Sequence, residues 1–566
     1  MTIRSKHRSR RAAAALVLAA FVAAPGAARA ATVTIVNQDG PGEGFNDPTS
    51  TAPIGGNSGT TLGQQRLIVF QTAANIWGSI LPSNVVIRVQ AQFNPLACDT
   101  NGAVLGSAGP VTVIANFSGA PLSNHWYHIA LANRLAGSDL DATRNDISAQ
   151  FNLSLDDNTC LGTSGWYYGL DHNEGVDIDL LAVVLHEIGH GLGFSTLISP
   201  STGQLLNGKP DAFSHFILDN STGLTWDQMT SGQRAASAVN TGHLVWNGAA
   251  VTNESSIFLG PKPIVRVNSP PAIAGDPAFG TASFGPALSQ PGVTGGVVLV
   301  NDGVGTTTDA CSAIVNTAQV SGHIALIDRG TCTFVSKAQA AQAAGAIGVV
   351  IANNVSGSPP AMGGDDPGIT IPVVSVTQQE GTNIKNQLGS GVNMTLGVDP
   401  NQHAGADAAN RVQLYAPNPV ESGSSVSHWD VSAFPDLLLE PFITPDLTNS
   451  VDLTRYAFQD LGWYTPTTSV GPTGVTALRL ASSPNPFGHA TAIRFDLPGR
   501  EPVELSVLDP SGRRVRRLYR GTLDGGAHTA TWDGEDEAGR RVAAGVYLSY
   551  LKAGALSSTQ RLVLLK

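Results

Sequence analysis

The run His186-Glu187-Ile188-Gly189-His190 puts two imidazoles and a carboxyl within five residues. On a helix, positions i and i+4 share one face, so both rings project side by side and can reach a single divalent cation. Glu187 then stands beside the open coordination position, where a general base for an attacking water is needed. The chemistry that this set serves is metal-assisted hydrolysis, with Zn2+ as the fitting ion. An ordinary core helix would bury two histidines and a glutamate only with polar partners. A catalytic zinc site needs a third protein ligand, and by residue type Asp211, His215 and His243 are candidates.

The elements that must hold this pentapeptide are readable around it. The segment Asp177–Leu192 predicts a helix, with Asp177 or Asp179 accepting its first amide hydrogen bonds and Leu180, Val183, Val184, Leu185 and Ile188 forming an apolar face. Gly193 can close it in a left-handed turn that returns the chain toward the metal. Upstream, residues 62–81 place Leu67, Phe70, Ala74 and Trp77 at helical spacing, and Val85–Ala91 reads as a strand. Val111–Asn116 and Asp146–Leu155 are further strand-like runs. A helix packed on a sheet is expected.

The longer run His186–Phe194 (HEIGHGLGF) resembles the metzincin zinc sequence H-E-x-x-H-x-x-G, but the third histidine of its compact form would fall at Thr196. Together with Ser427-His428-Trp429 and Pro435–Pro441 (PDLLLEP), it resembles the leishmanolysin family, in which an insertion separates the helix from the third histidine. The resemblance implies a zincin-like catalytic domain that cleaves proteins or peptides, with His186, His190 and His428 as zinc ligands and Glu187 as general base. It also implies a methionine turn about eleven residues past the third histidine, a position occupied here by Leu439. The four methionines are Met1, Met229, Met362 and Met394, so none can fill it. Leucine has a similar volume and can form the same apolar floor.

At 566 residues the chain is too long for one core. With 42 % apolar and 13 % charged residues it is not a disordered chain, and no 18-residue apolar run follows the N-terminus to suggest a membrane bundle. A net charge of −11 argues against nucleic acid as a partner. The acidic excess ends near residue 475, which marks a boundary. Residues 1–30 read as a signal peptide, with basic residues Arg4 to Arg11, an apolar stretch and Ala28-Arg29-Ala30 as the cleavage site, so a secreted or cell-surface protein is expected. Four cysteines in such a chain suggest two disulfides, by position Cys98–Cys160 and Cys311–Cys332, among three possible connectivities.

Residues 263–400 change pattern, with Ile324–Asp328, Phe334–Ala344 and Ile347–Ile351 reading as a β-α-β crossover. Gly322–Gly330, Phe334–Ala338 and Gly345–Asn353 resemble a protease-associated (PA) domain, a module implied to bind substrate segments or to cover an active-site entrance. Residues 401–464 return to the catalytic part, 465–475 form a Pro/Gly linker, and 476–566 alternate as antiparallel strands, as in Val503–Leu508 and Gly545–Tyr550. Ser483–Phe487, Asp509–Arg513, Trp532-Asp533-Gly534 and Ala544–Tyr547 resemble Ig-like C-terminal modules of the hook-capping and type IX sorting kind, implying contact with a cell surface or secretion machinery. Arg513–Arg520 read as a solvated face. Asp139, Asp141, Asn145 and Asp146, and Asp156, Asp157 and Asn158, are Ca2+-type donors, but they fit no 12-residue loop, and turn residues are the preferred reading.

The expected architecture is multidomain α+β: a zincin-like catalytic domain (31–262 and 401–464), an α/β PA insert and an all-β Ig-like C-terminal sandwich. The expected function is a secreted zinc endopeptidase. The alternative is a catalytically degenerate surface-binding protein that holds partners through its PA and Ig-like domains.

Overall fold

The computed structural model describes residues 30–464 apart from 101, 158–159, 163, 445–446 and 448–450, and residues 479–564 apart from 484–486, 488–489, 498–500, 510–512, 524–525, 538–539 and 555. Residues 1–29 of the expected signal peptide (1–30), the linker 465–475 and Asn158 lie outside the described residues.

A helix forms over Leu62–Ile80, started by the Thr61 hydroxyl, which accepts the Gln64 N–H at 3.2 Å. Its buried face is Val69, Phe70, Ala73, Ala74 and Trp77. Leu67, expected inward, is 43 % exposed. The buried stripe at this end passes through Arg66 instead, whose guanidinium is held by the Gly44 carbonyl, the Tyr168 hydroxyl and Asp156. An arginine reads as a surface residue, but here every face of its fork finds an acceptor or an aromatic ring.

The helix covers a four-stranded sheet in the order Val33–Asn37, Ile87–Asn94, Ile147–Asn152, Gly106–Pro110; the first three strands are parallel and the last is an antiparallel edge. Ile87–Asn94 alternates buried and half-buried positions, the period-two pattern of a strand. It starts two residues later than expected because Ser83 and Val85 form a local turn. The run Val111–Asn116 shortens to Val113–Ile114, paired with Tyr127–His128. Asp146–Leu155 divides into the strand Ile147–Asn152 and a 3-10 turn over Leu153–Asp156, begun by the Asn152 side chain, which accepts the Ser154 N–H. One apolar core takes residues from 31–259 and again from 406–463, so the two stretches that flank the insert pack as one body. Trp77 meets Phe458 edge-on, and the Trp463 indole donates to the Leu192 carbonyl.

The insert forms a seven-stranded sheet in the order Pro261–Ser269, Asn393–His403, Val293–Leu299, Ile324–Asp328, Gly348–Ala352, Val373–Val376, Phe279–Thr281. Its central crossover, Ile324–Asp328, helix Phe334–Ala343 and Gly348–Ala352, runs parallel as the sequence predicts. Disulfides join Cys98 to Cys160 and Cys311 to Cys332, the expected pairs.

At the C-terminal end, three- and four-stranded antiparallel sheets enclose Leu505, Trp532 and Leu551. Arg514, Arg516 and Arg517 of strand Arg514–Leu523 pair with Glu504, Asp533, Glu535 and Glu537, as expected for a solvated face.

Candidate metal centre

The helix that carries the pentapeptide spans Leu180–Leu192, and all thirteen of its residues are buried. Asp179 starts it: its Oδ1 accepts the Leu181 N–H at 2.9 Å and the Ala182 N–H at 3.4 Å. Asp177, the other expected cap, accepts the Gly165 N–H instead. The helix stops at Gly193, whose φ of +129° suits a residue without Cβ. This turn brings the Phe194 carbonyl back to the His190 Nδ1, at 2.8 Å.

His428 arrives from the far side of the insert. Its segment is fixed by main-chain hydrogen bonds from Tyr415 N to the His428 carbonyl and from Trp429 N to the Leu439 carbonyl. The buried Trp429 anchors it through its indole N–H on the Thr454 hydroxyl.

The three Nε2 atoms converge, His186 to His190 at 3.0 Å and each of these to His428 at 3.2 Å. The three Nδ1 atoms lie 2.7–2.8 Å from the carbonyls of Leu438, Phe194 and Ser424. A carbonyl only accepts, so each Nδ1 carries the proton and each neutral ring turns its Nε2 lone pair toward a common point. Burial holds the rings neutral, pushing His186 down to about 3, His190 to about 4 and His428 well below its ordinary range. Three lone pairs facing one another repel unless a cation sits among them. Nitrogen ligands at 2.0–2.1 Å from a tetrahedral Zn2+ stand about 3.4 Å apart, which the observed spacing nearly matches. The residues fit the ion.

Glu187, on the same helix between the two histidines, is buried, and burial pushes its carboxyl up to about 8, opposed by the Ala108 N–H that it accepts. The edge strand Gly106–Pro110 lies against it: a Cβ on Gly106 would come 3.1 Å from Glu187 Cγ.

The other candidate third ligands serve elsewhere. Asp211 accepts the Thr196 hydroxyl and the Leu197 and Ser214 amides; His215 pairs with Asp227; His243 meets Asn220. The residues read as turn residues in preference to Ca2+ donors have protein partners: Asp139 pairs with Arg88, Asp141 takes the Thr143 hydroxyl, Asn145 donates to Gln90, Asp146 holds Asn133, and Asp156 holds Arg66 and Tyr168. Each is spent on a separate turn or pair. Sequence reasoning missed the three carbonyls that set the histidine tautomers and the Ala108 amide, because main-chain groups leave no residue-type signal.

The PA domain family model matches residues 293–384. The chain carries a PA domain. The FlgD Ig-like domain model matches residues 485–555. Neither span contains His186, Glu187, His190 or His428. Among curated proteins, the chain is 42 % identical over 73 residues to the probable lipoprotein aminopeptidase LpqL of Mycobacterium tuberculosis, covering 12 % of this chain and 14 % of that protein. It is 33 % identical over 99 residues to the minor extracellular protease Vpr of Bacillus subtilis, covering 18 % and 11 %. The chain thus spans less than a fifth of the length of these relatives. Among solved structures, a zinc aminopeptidase from Bacillus subtilis is similar at 25 % identity over 27 % of this chain and 35 % of that one, with a TM-score of 0.19. No helix among the described residues is long and apolar enough to cross a membrane.

Proposed function

We propose that the chain is a zinc-dependent endopeptidase of zincin-like, leishmanolysin-like type, with His186, His190 and His428 as metal ligands and Glu187 as general base. The observation that carries this reading is the convergence of three buried Nε2 lone pairs, each ring fixed through Nδ1 on a carbonyl, next to a buried carboxyl. Bound there, Zn2+ supplies Lewis-acid polarisation of a peptide carbonyl and acidifies water. Glu187 takes the proton of the attacking water and returns it to the leaving amine nitrogen. Gly106–Pro110, an edge of its sheet, lies beside Glu187 and offers main-chain groups to an extended peptide.

The peptidases among the relatives agree with a role for the PA domain in handling protein substrates. Two disulfides agree with action outside the cytoplasm, and the Ig-like domain is then the element for contact with a cell surface or secretion machinery.

Casein hydrolysis by the full chain tests this reading. Activity is expected to vanish with a chelator and to return with zinc. Glu187→Ala should keep its zinc and lose roughly 10²–10⁴-fold or more in turnover, and His428→Ala should lose one equivalent of zinc. Undiminished hydrolysis by Glu187→Ala would overturn the assignment, and zinc binding without hydrolysis by the unaltered chain would favour the degenerate binding protein.

A further inference from the structure

A second constellation stands apart from the first. His125 precedes the strand Tyr127–His128, His215 precedes the strand Ile217–Asp219, and Asp227 lies in the 3-10 turn Trp226–Gln228. Their donor atoms lie within 4.8 Å of one another: His215 Nδ1 is 2.7 Å and His125 Nε2 3.6 Å from Asp227 Oδ2. The two rings stand nearly perpendicular, with centroids 6.2 Å apart.

We propose that His125, His215 and Asp227 form a second metal site, for a first-row divalent ion of the zinc class. His125 Nδ1 lies 2.9 Å from the Ser123 carbonyl, so one proton sits there and Nε2 is the ring atom that faces the Asp227 carboxylate, 3.6 Å away. That Nε2 is buried and makes no hydrogen bond among the described residues. Without a metal the carboxylate draws a proton onto that nitrogen; a divalent cation takes the proton's place and bonds both Nε2 and Oδ2. Asp227 is already oriented to ligate, because its Oδ1 takes the Thr225 hydroxyl and leaves Oδ2 facing the imidazoles.

His215 donates its Nδ1 proton to Asp227 when the metal is absent. Its side chain is 41 % exposed, so on binding the Nδ1 proton passes to solvent, the exposed Nε2 takes up another, and the freed Nδ1 lone pair becomes the ligand. The same exposure gives the ion a path in and water for a fourth position. Two imidazole nitrogens and one carboxylate oxygen suit zinc, cobalt or nickel; calcium and magnesium prefer all-oxygen sites.

The site is placed to brace the first centre. Trp126, next to His125, bridges to Asp211, whose carboxylate holds the Leu197 amide just beyond Phe194. Phe194 in turn orients His190. A metal here ties residues 125, 215 and 227 into one unit behind that loop.

Zinc stoichiometry of the untagged full chain, after equilibration with buffered free Zn2+, tests the proposal. Two equivalents per chain are expected, falling to one in His215→Ala, in Asp227→Asn and in the conservative His125→Gln, each with unchanged circular dichroism. His428→Ala should also fall to one, and His428→Ala combined with His125→Gln to none. One equivalent in the unaltered chain that His125→Gln retains and His428→Ala loses would overturn the site and mean that His125 is simply an imidazolium paired with Asp227. Two equivalents retained by all three variants would overturn it as well. Since the readout is bound metal, its failure is distinct from a failure of the peptidase reading.

Discussion

Leu439 lies directly under Gly189: a Cβ built on Gly189 would stand 3.2 Å from Leu439 Cδ2. Leu439 is fully buried, its carbonyl accepts the Trp429 N–H, and the preceding carbonyl, of Leu438, orients His186. One short segment therefore backs the helix of two proposed ligands and the strand-like run of the third. At the position where the leishmanolysin resemblance implies methionine, Leu439 supplies an apolar group of similar volume.

Leu439→Ala should leave a cavity at this floor and cost about 2–5 kcal/mol in unfolding free energy. Leu439→Met should cost less than about 1.5 kcal/mol and keep the metal. Denaturant unfolding with a parallel zinc-affinity measurement checks both. Equal losses for alanine and methionine would mean that Leu439 is not a packing floor.

Glu440, the next residue, is also buried, and burial pushes its carboxyl up to about 9 against the Leu437 N–H that it accepts, with Asp436, Asp452 and Asp430 adding repulsion. Its folded pKa exceeds the unfolded value of about 4.3. Between these two values the folded state keeps a proton that the unfolded chain has released, so stability falls as pH rises through the window. Glu440→Gln retains an oxygen for Leu437 and removes the titration. Its unfolding free energy should gain on the wild type with rising pH, by at most about 1.4 kcal/mol per unit. Urea unfolding at about pH 5, 6.5 and 8 reads this, and parallel pH profiles would show that Glu440 ionises freely in the fold.

The sequence carries the parts of the site that depend on residue type and short spacing. His186 and His190 one helical turn apart, Asp179 as a cap and Gly193 as a stop are local rules, and each appears in the structure. His428 is reachable only through the Ser427-His428-Trp429 resemblance, because nothing periodic links it to the helix across a whole inserted sheet. The helical spacing of Leu67 to Phe70 predicts an inward side chain, yet the face is decided by what Arg66 finds to bond. The cluster of His125, His215 and Asp227 is invisible in the sequence for a similar reason: three loop residues carry no shared period, and only the folded chain brings their donors together.

The last relationship concerns how closely the site helix lies on its sheet. A Cβ on Gly191 would come within 2.3 Å of Ile147 Cγ2, on the central strand Ile147–Asn152, with two more Ile147 atoms at 2.9 Å. Helix propensity alone favours Gly191→Ala, by roughly 0.5–1 kcal/mol. The contact opposes it, because both residues are buried and Ile147 is held in its strand by pairing on both sides. The helix must then move outward at the residue after His190, against the Phe194 carbonyl that fixes that ring. Gly191→Ala should therefore be destabilising by about 1–3 kcal/mol and should weaken zinc binding. Adding Ile147→Val removes one methyl from the clash, so the double variant should recover part of both losses, a coupling that a double-mutant cycle isolates. A Gly191→Ala chain that is more stable than the wild type, with unchanged metal affinity, would show that the helix has room to shift without disturbing His190.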